Sequence, residues 1–347
     1  MLLTPIILFV ILMILLYVPP VQNFIRKQAT AIASDATGMN ISVERIDLRF
    51  PLNLLVRGVQ VVQSENDAVD VQHPDTLLNL GSLNVRVQAW PLLQGRVEVD
   101  DITLQQVAVN SSTLLEGMHI KGTLGRFFLE SHGIDLKKEN AVLNSVELSN
   151  THVQVILADT AEAPKDTVET ALNWRIALHN LKLKNVSVDL QMPLDSMTLA
   201  ANIGDASIED ANADLKRQFY GWRKFALTGT AVNYDSGTAA PVEGFDASHI
   251  ALRDIRIGID SVMSCGRDMN AVIREFSMYD RSGLTVTSLT GRLFADSTLI
   301  CVPHLQLTTP HSEMNLTAQT YWKLVDIPTT GRLSARFNAN IGKQDVL

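Results

Sequence analysis

Asp100 and Asp101 are adjacent carboxylates, the residue type that general acid–base chemistry needs at a reacting centre. Their setting argues against that use. They sit where the apolar pair Val97 and Val99 gives way to Ile102 and Leu104, and this change of parity would flip the face of a regular strand. The pair therefore reads as a β-bulge. His304 and His311 are the closest-spaced of eight histidines, and no cysteine or carboxylate cluster joins them at a metal-ligand spacing. Cys265 and Cys301 exclude a disulfide-rich scaffold and a four-cysteine zinc site; spacing leaves both a bond between them and two free thiols open. No phosphate loop, dinucleotide fingerprint, nucleophile elbow or HExxH helix is present. Asn-x-Ser/Thr triplets at Asn40, Asn110, Asn185 and Asn315 occur at the level chance allows. The chain reads as a non-enzyme with no catalytic residue, no metal and no cofactor. Its 29 Lys and Arg against 37 Asp and Glu give a net charge of −8, which argues against a general nucleic-acid binder.

What remains to carry function is hydrocarbon and its spacing. The first eighteen residues hold no charge, and Ile6, Ile7, Leu8, Phe9, Val10, Ile11, Leu12, Met13, Ile14, Leu15 and Leu16 form an unbroken apolar run stopped by Pro19 and Pro20. A helix of that length spans roughly 25 Å, slightly less than a bilayer core of about 30 Å. Residues 1–20 are expected to be an uncleaved anchor, because Leu16-Tyr17-Val18-Pro19-Pro20 lacks the small residues of a signal-peptide cleavage site. The nearby cations, Arg26 and Lys27, follow the run, and the positive-inside rule taken literally places the bulk of the chain in the cytoplasm. A natural start further upstream, carrying basic residues, would reverse that orientation. Residues 21–40 follow as a short amphipathic helix, with Val21, Phe24, Ile25, Ala29, Ile32 and Ala33 on one stripe. It serves either as a helix at the membrane surface or plugging the next domain's end, or as an ordinary cap.

From residue 41 onward the pattern is strand. Leu83, Val85 and Val87 alternate with polar residues, the period-two signature of a half-buried strand. A second pattern pairs apolar-x-apolar with a further apolar-x-apolar two residues on. It runs Ile102, Leu104, Val107, Val109; then Ile176, Leu178, Leu181, Leu183, Val186, Val188; then Ile250, Leu252, Ile255, Ile257; and more weakly through Val146, Leu148, Thr151, Val153. Gln106, Asn180, Asn185, Asp254 and Asn150 stand just before the second halves. A bulge or tight corner there keeps both halves on one face. Repeated through a sheet, such corners curve it into a trough; a conventional sandwich uses the same device. The expected fold is all-β after the N-terminal transmembrane helix: a long curved antiparallel sheet in a first segment at 41–158, a linker at 159–173 and a second segment at 174–347, continuing beyond the chain end. The candidate groove lining is Leu83, Val85, Val87, Val97, Val99, Ile102, Leu104, Val107, Val109, Ile176, Leu178, Leu181, Leu183, Ile250, Leu252, Ile255 and Ile257.

The N-terminal stretches TGMNISVERIDL (residues 37–48) and FPLNLLVRGV (50–59), with WPLLQGRV (90–97), resemble the start of the AsmA-like and TamB families of Gram-negative envelope proteins. RSGLTV (281–286) and LQLTTPHS (305–312) look like the version in Bacteroides-type bacteria. The resemblance implies a single-pass anchor in the inner membrane, with the bulk of the chain in the periplasm as a curved sheet with an apolar groove. It implies a part in outer-membrane biogenesis, carrying phospholipid acyl chains between membranes. The alternative it carries is a scaffold in a translocation and assembly module that inserts outer-membrane or autotransporter proteins. The implied protein partner is an outer-membrane barrel of the Omp85 class, met through a region not in this chain.

Overall fold

The structure is a computed structural model, and the residues it describes are 23, 26–28, 30, 31, 34, 35, 37, 39–49, 53–62, 76–88, 99–111, 118–135, 138–157, 173–326 and 332–345. The expected anchor, including Ile6 to Leu16, lies outside them, as do Val97 and residues 159–172. Among the described residues no helix is long and apolar enough to cross a membrane.

One sheet of sixteen strands takes up nearly all of the rest. Its strands are β1 (Asn40–Arg49), β2 (Asn53–Val62), β3 (Thr76–Val87), β4 (Val99–Asn110), β5 (Met118–Asp135), β6 (Asn140–Leu157), β7 (Arg175–Met192) and β8 (Met197–Asp214). Then come β9 (Phe219–Ser236), β10 (His249–Cys265), β11 (Asp268–Asp280), β12 (Thr285–Val286), β13 (Ser288–Ala295), β14 (Leu299–Thr308), β15 (Glu313–Tyr321) and β16 (Leu333–Asn340). They pair in chain order, except that the two-residue β12 lies on β11 beside β13. The residues expected on the two sides of 159–173 thus share a single sheet.

That sheet is mixed, which corrects the antiparallel expectation. β6 and β7 run parallel, Asn140 beside Arg175 and Ile156 beside Gln191. A parallel pair needs a crossover of about a dozen residues or more, and the stretch between Leu157 and Arg175 is long enough to supply it. The described residues between 23 and 37 are helical; the stripe residues Val21, Phe24, Ile25, Ala29, Ile32 and Ala33 lie outside the described set, and Asn40, expected at the end of the helix, opens β1. The helical residues sit at the sheet's first edge. Arg26 donates to the Glu44 carbonyl at 2.7 Å, and the Ile41 amide donates to Ser34 Oγ at 3.1 Å. Backbone groups of β1 are covered in this way, which suits a capping role.

The expected corners are present in a more ordered form than isolated bulges. Gln106, Asn150, Asn185 and Asp254 have φ of 56°, 52°, 53° and 52°, the left-handed conformation, and Gly58 and Gly229 join them at 60° and 61°. Register runs unbroken on either side of these residues through most of the sheet. Gln105 and Val107 pair with Arg126 and Leu124, leaving Gln106 opposite Gly125; Ser149 and Thr151 pair with Lys184 and Val186, leaving Asn150 beside Asn185. The unpaired positions line up across β1 to β9 as Glu44, Gly58, Gly81, Gln106, Gly125, Asn150, Asn185, Gly204 and Gly229. This is one crease through the sheet. Every antiparallel pair along this crease from β1 to β9 contains a glycine, either opposite a left-handed residue, as at Gly81 and Gly125, or as the left-handed residue itself, as at Gly58 opposite Glu44. A Cβ on Gly81 would lie 2.9 Å from the Gln106 Cβ, and one on Gly125 would lie 2.8 Å from the Asn150 Cβ. At the parallel pair both partners turn left-handed, and Asn185 Nδ2 donates to Asn150 Oδ1 at 2.9 Å.

Asn180 departs from the expectation, since its φ is not positive. A second crease passes beside it, and the left-handed residues are its neighbours across the sheet, Asp210 on β8 and Ser261 on β10, at 52° and 54°. As at the first crease, one strand of an opposed pair turns and the other follows. The bulge read at Asp100 and Asp101 belongs to this second line: Arg86 pairs with Asp101 and Val87 with Val99, so Asp100 is the extra residue.

Candidate functional site

The creases turn a parity problem into a surface. One row of side chains passes strand to strand through Ile46, Val56, Leu83, Leu104, Phe127, Leu148, Leu183, Ala206, Leu227 and Ile257, each in register with the next. Across the first crease a matching row holds Val43, Val59, Leu80, Val107, Leu124, Thr151 and Val186, with Thr230 and Ile255 paired beyond. Each row has an outer companion: Leu54, Val85, Ile102, Leu129, Val146 and Leu181 on one side, and Val61, Leu78, Val109, Gly122, Val153 and Val188 on the other. One apolar row therefore crosses ten strands on one face, and the rows beside it are mostly aliphatic, interrupted at Gly122, Thr151 and Thr230.

Burial shows which side of the bend they occupy. The few buried apolar residues include Ile46, Leu80, Val186, Ala206 and Ile255, at 9%, 8%, 6%, 9% and 6% exposure, and all five flank the first crease. Thr151 and Thr230 are buried beside them, their hydroxyls donating to the carbonyls of Ser149 and Thr228 two residues back. The corner residues Gln106, Asn150, Asn185 and Asp254 are exposed. Side chains are shielded on the inside of a fold and splayed on its outside, so the apolar rows line the concave face. No large side chain among the described residues is fully buried. A second layer such as a sandwich requires would bury them; the inner face is an open trough.

Of the candidate lining residues, Leu83, Val85 and Val87 lie on β3, Val99, Ile102, Leu104, Val107 and Val109 on β4, Ile176, Leu178, Leu181 and Leu183 on β7, and Ile250, Leu252, Ile255 and Ile257 on β10. Ile255 is buried, Val109 is exposed at 38%, and the others are half-buried. β3 and β4 bring their sets together directly; β5 and β6 bridge them to β7, and β8 and β9 bridge β7 to β10. Sequence reasoning reads the repeat in Val146, Leu148, Thr151 and Val153, which falls on the bridging strand β6, but leaves it out of the lining set, and it misses the same spacing in Ile41, Val43, Ile46, Leu48 of the edge strand β1 and in Phe225, Leu227, Val232 of the bridging strand β9. The two creases are six positions apart on β7, from His179 to Asn185, which gives the floor a width of roughly 20 Å at about 3.3 Å per residue.

The outside of the second crease is a polar seam. Asp210 accepts from Arg223 Nε at 2.6 Å and lies 2.5 Å from His179 Nδ1. Arg223 also pairs with Glu209, Arg86 with the buried Asp101, and Gln88 Nε2 donates to Asp100 at 2.6 Å. A polar pocket of about 350 Å³ opens between Arg86, Gln88, Asp100, Asp101, Glu130 and His132, within which Arg86 pairs with Asp101 and Gln88 bonds Asp100. Bonds from Arg223 and then His179 hold the Asp210 carboxyl below its ordinary range. A depressed carboxylate contributes stability at pH above the unfolded value of 3.8, and this is lost as pH falls through the lower folded value. Asp210→Asn should therefore soften the loss of stability below about pH 4, measured by urea unfolding between pH 2 and 7, while an acid limb identical to wild type would show that the seam adds nothing.

The two cysteines are free thiols on β10 and β14, with β11 and β13 between them. Among the described residues no three His, Cys, Asp or Glu side chains converge as metal ligands. What the described residues offer is a hydrocarbon surface open to one side. Compared with known proteins, the chain matches no family model and no curated protein.

Proposed function

We propose that this chain is a membrane-anchored trough that carries the acyl chains of phospholipids between the membranes of a Gram-negative envelope. The observation behind this reading is the apolar row that runs unbroken over ten strands, with mostly aliphatic rows beside it, on the inside of an open bend. Each acyl CH₂ that leaves water on such a surface gains about 0.8 kcal/mol, and successive positions along the rows are equivalent, so a chain is held without being fixed at one place. The resemblance of residues 37–59 and 90–97 to the AsmA-like and TamB families supports the same assignment. With it come an inner-membrane anchor in residues 1–20, a periplasmic location for the sheet and a barrel partner at the outer membrane.

Photo-crosslinking groups placed at Val87 and Leu104 in living cells test it. Phospholipid adducts at both positions are the expected result. Adducts confined to neighbouring strands of this chain would overturn the trough as a lipid path. A second reading, a scaffold for assembling outer-membrane proteins, is favoured by β16, whose eight residues are all exposed along the last edge of the sheet. Such an edge can receive an added strand. Under this reading the adducts formed from β16 would be to barrel proteins.

A further inference from the structure

The two edges of the sheet are treated differently. At β1, Arg26 and Ser34 of the helical residues bond backbone groups of the strand. At β16, no described strand pairs with the outer side. The residues after β16 turn the other way. The Gly342 amide donates to Ser312 Oγ at 3.0 Å, and Asp345 accepts from the hydroxyls of Thr309 and Ser312 at the corner between β14 and β15. β16 also lacks the devices that keep an edge from pairing. It holds no proline and no lysine, its register with β15 is unbroken, and none of its residues has a positive φ.

The side chains of this edge fit one partner. Leu333, Ala335, Phe337 and Ala339 share one face of β16, and Ile341 just after it keeps the alternation; Ser334, Arg336, Asn338 and Asn340 share the other face. Leu333, Phe337 and Ile341 are each more than half exposed. Outward from Phe337 the order of residue types is the same in both directions. A second β16 laid antiparallel about that residue sets Phe337 opposite Phe337, Ala335 opposite Ala339 and Leu333 opposite Ile341. On the polar face Ser334 meets Asn340 and Arg336 meets Asn338. The Arg336 guanidinium has only donors to offer, and the Asn338 side chain brings a carbonyl to accept. A centre moved to Arg336 would set two guanidiniums directly opposite each other, which destabilises a strand pair. Alternate pairs exchange two backbone bonds each, about eight to ten over residues 333–341.

We propose that two copies of this chain join edge to edge through β16, antiparallel and centred on Phe337. The inner face of the trough reaches Phe337 in register through Ile259, Ile273, Gly291, Leu305 and Leu316, so the joined sheet carries its apolar face from one copy into the other. The contact is the same patch on both copies and occupies both open edges, so the assembly closes as a dimer. The proposal goes beyond the lipid-carrying reading and does not depend on it.

The detergent-solubilised full chain carrying C265S and C301S should sediment as a dimer in analytical ultracentrifugation at micromolar concentration. F337K sets like charges opposite each other at the centre and removes the aromatic pair, and it should weaken the dimer at least about tenfold. Phe337 is exposed, so the strand circular dichroism of F337K should match wild type. Copies carrying A335C, mixed with copies carrying A339C in the same background, should form a disulfide between chains under mild oxidation, and A335C copies alone should not. A monomer overturns the proposal, as do a larger assembly, a dimer that F337K leaves intact, and a disulfide between two A335C copies. If F337K fails to fold, the pairing of A335C with A339C decides.

Discussion

Gly204→Val should unfold a large part of the sheet, whereas Gln106→Gly, in the middle of another strand, should stabilise it. The two results share one cause. A Cβ on Gly204 would lie 2.8 Å from the Gly229 carbonyl oxygen and 3.0 Å from that of Thr228. Both are backbone atoms, so no rotamer change relieves the contact. The strands at the crease must separate, and β8 and β9 lose register on both sides of it. Overpacking of this kind costs about 3 kcal/mol, a large part of an ordinary domain's net stability. Glycine within a strand normally costs about 0.5–1 kcal/mol in chain entropy. At Gln106 the sign reverses, because φ is 56° and a side chain there pays about 1–2 kcal/mol for left-handed backbone. Urea unfolding followed by circular dichroism reads both variants. Gly258→Ala is the control, since its added Cβ would meet nothing closer than 3.6 Å. A folded Gly204→Val with wild-type stability would show that the crease is not a close backbone approach.

How far this architecture is legible in the sequence depends on what fills the rows. In β4, β7 and β10 both halves of the repeat are Val, Leu or Ile, and the step of three between them stands out. In β8 the same row positions include Ala201 and Ala206, and in β5 one is Gly122, so the apolar signal fades although the geometry is the same. Gly81, Gly125 and Gly204 read locally as strand breakers, yet they make the crease possible by giving room to the left-handed residue opposite. That fact belongs to pairs of strands and is invisible in either alone. Asn180 shows the same limit from the other side. The parity change at Leu178 and Leu181 is real, but the left-handed residue lies across the pair at Asp210. The parallel step between β6 and β7 was not legible at all. Strand direction there is decided by the path from Leu157 to Arg175, and both strands carry the same repeat whichever way they run.

Charge placed in the trough should stop lipid movement without unfolding the protein, provided it is placed where the side chain still reaches water. Val87 and Leu104 are half-buried on an open face, so a carboxylate at either site keeps most of its water. The doubly substituted Val87→Asp, Leu104→Asp chain should retain its strand circular dichroism. A hydrated carboxylate in a row withholds contact from about three CH₂ groups of a passing chain, roughly 2 kcal/mol at about 0.8 kcal/mol each. That corresponds to a loss of about thirtyfold per site in transfer between donor and acceptor vesicles, or in cells to failure of phospholipid delivery. Val186→Asp is the informative contrast. Val186 is 6% exposed on the inside of the first crease, where an unpaired carboxylate cannot reach water. Burying it there costs several kcal/mol, and the sheet itself should fail. The two outcomes separate a surface that works by being wettable from a core that works by being closed. A folded double variant that moves phospholipid at the wild-type rate would refute the trough as the lipid's path. A double variant that unfolds as Val186→Asp does would mean that the rows are closed against each other, and the scaffold reading would then take its place.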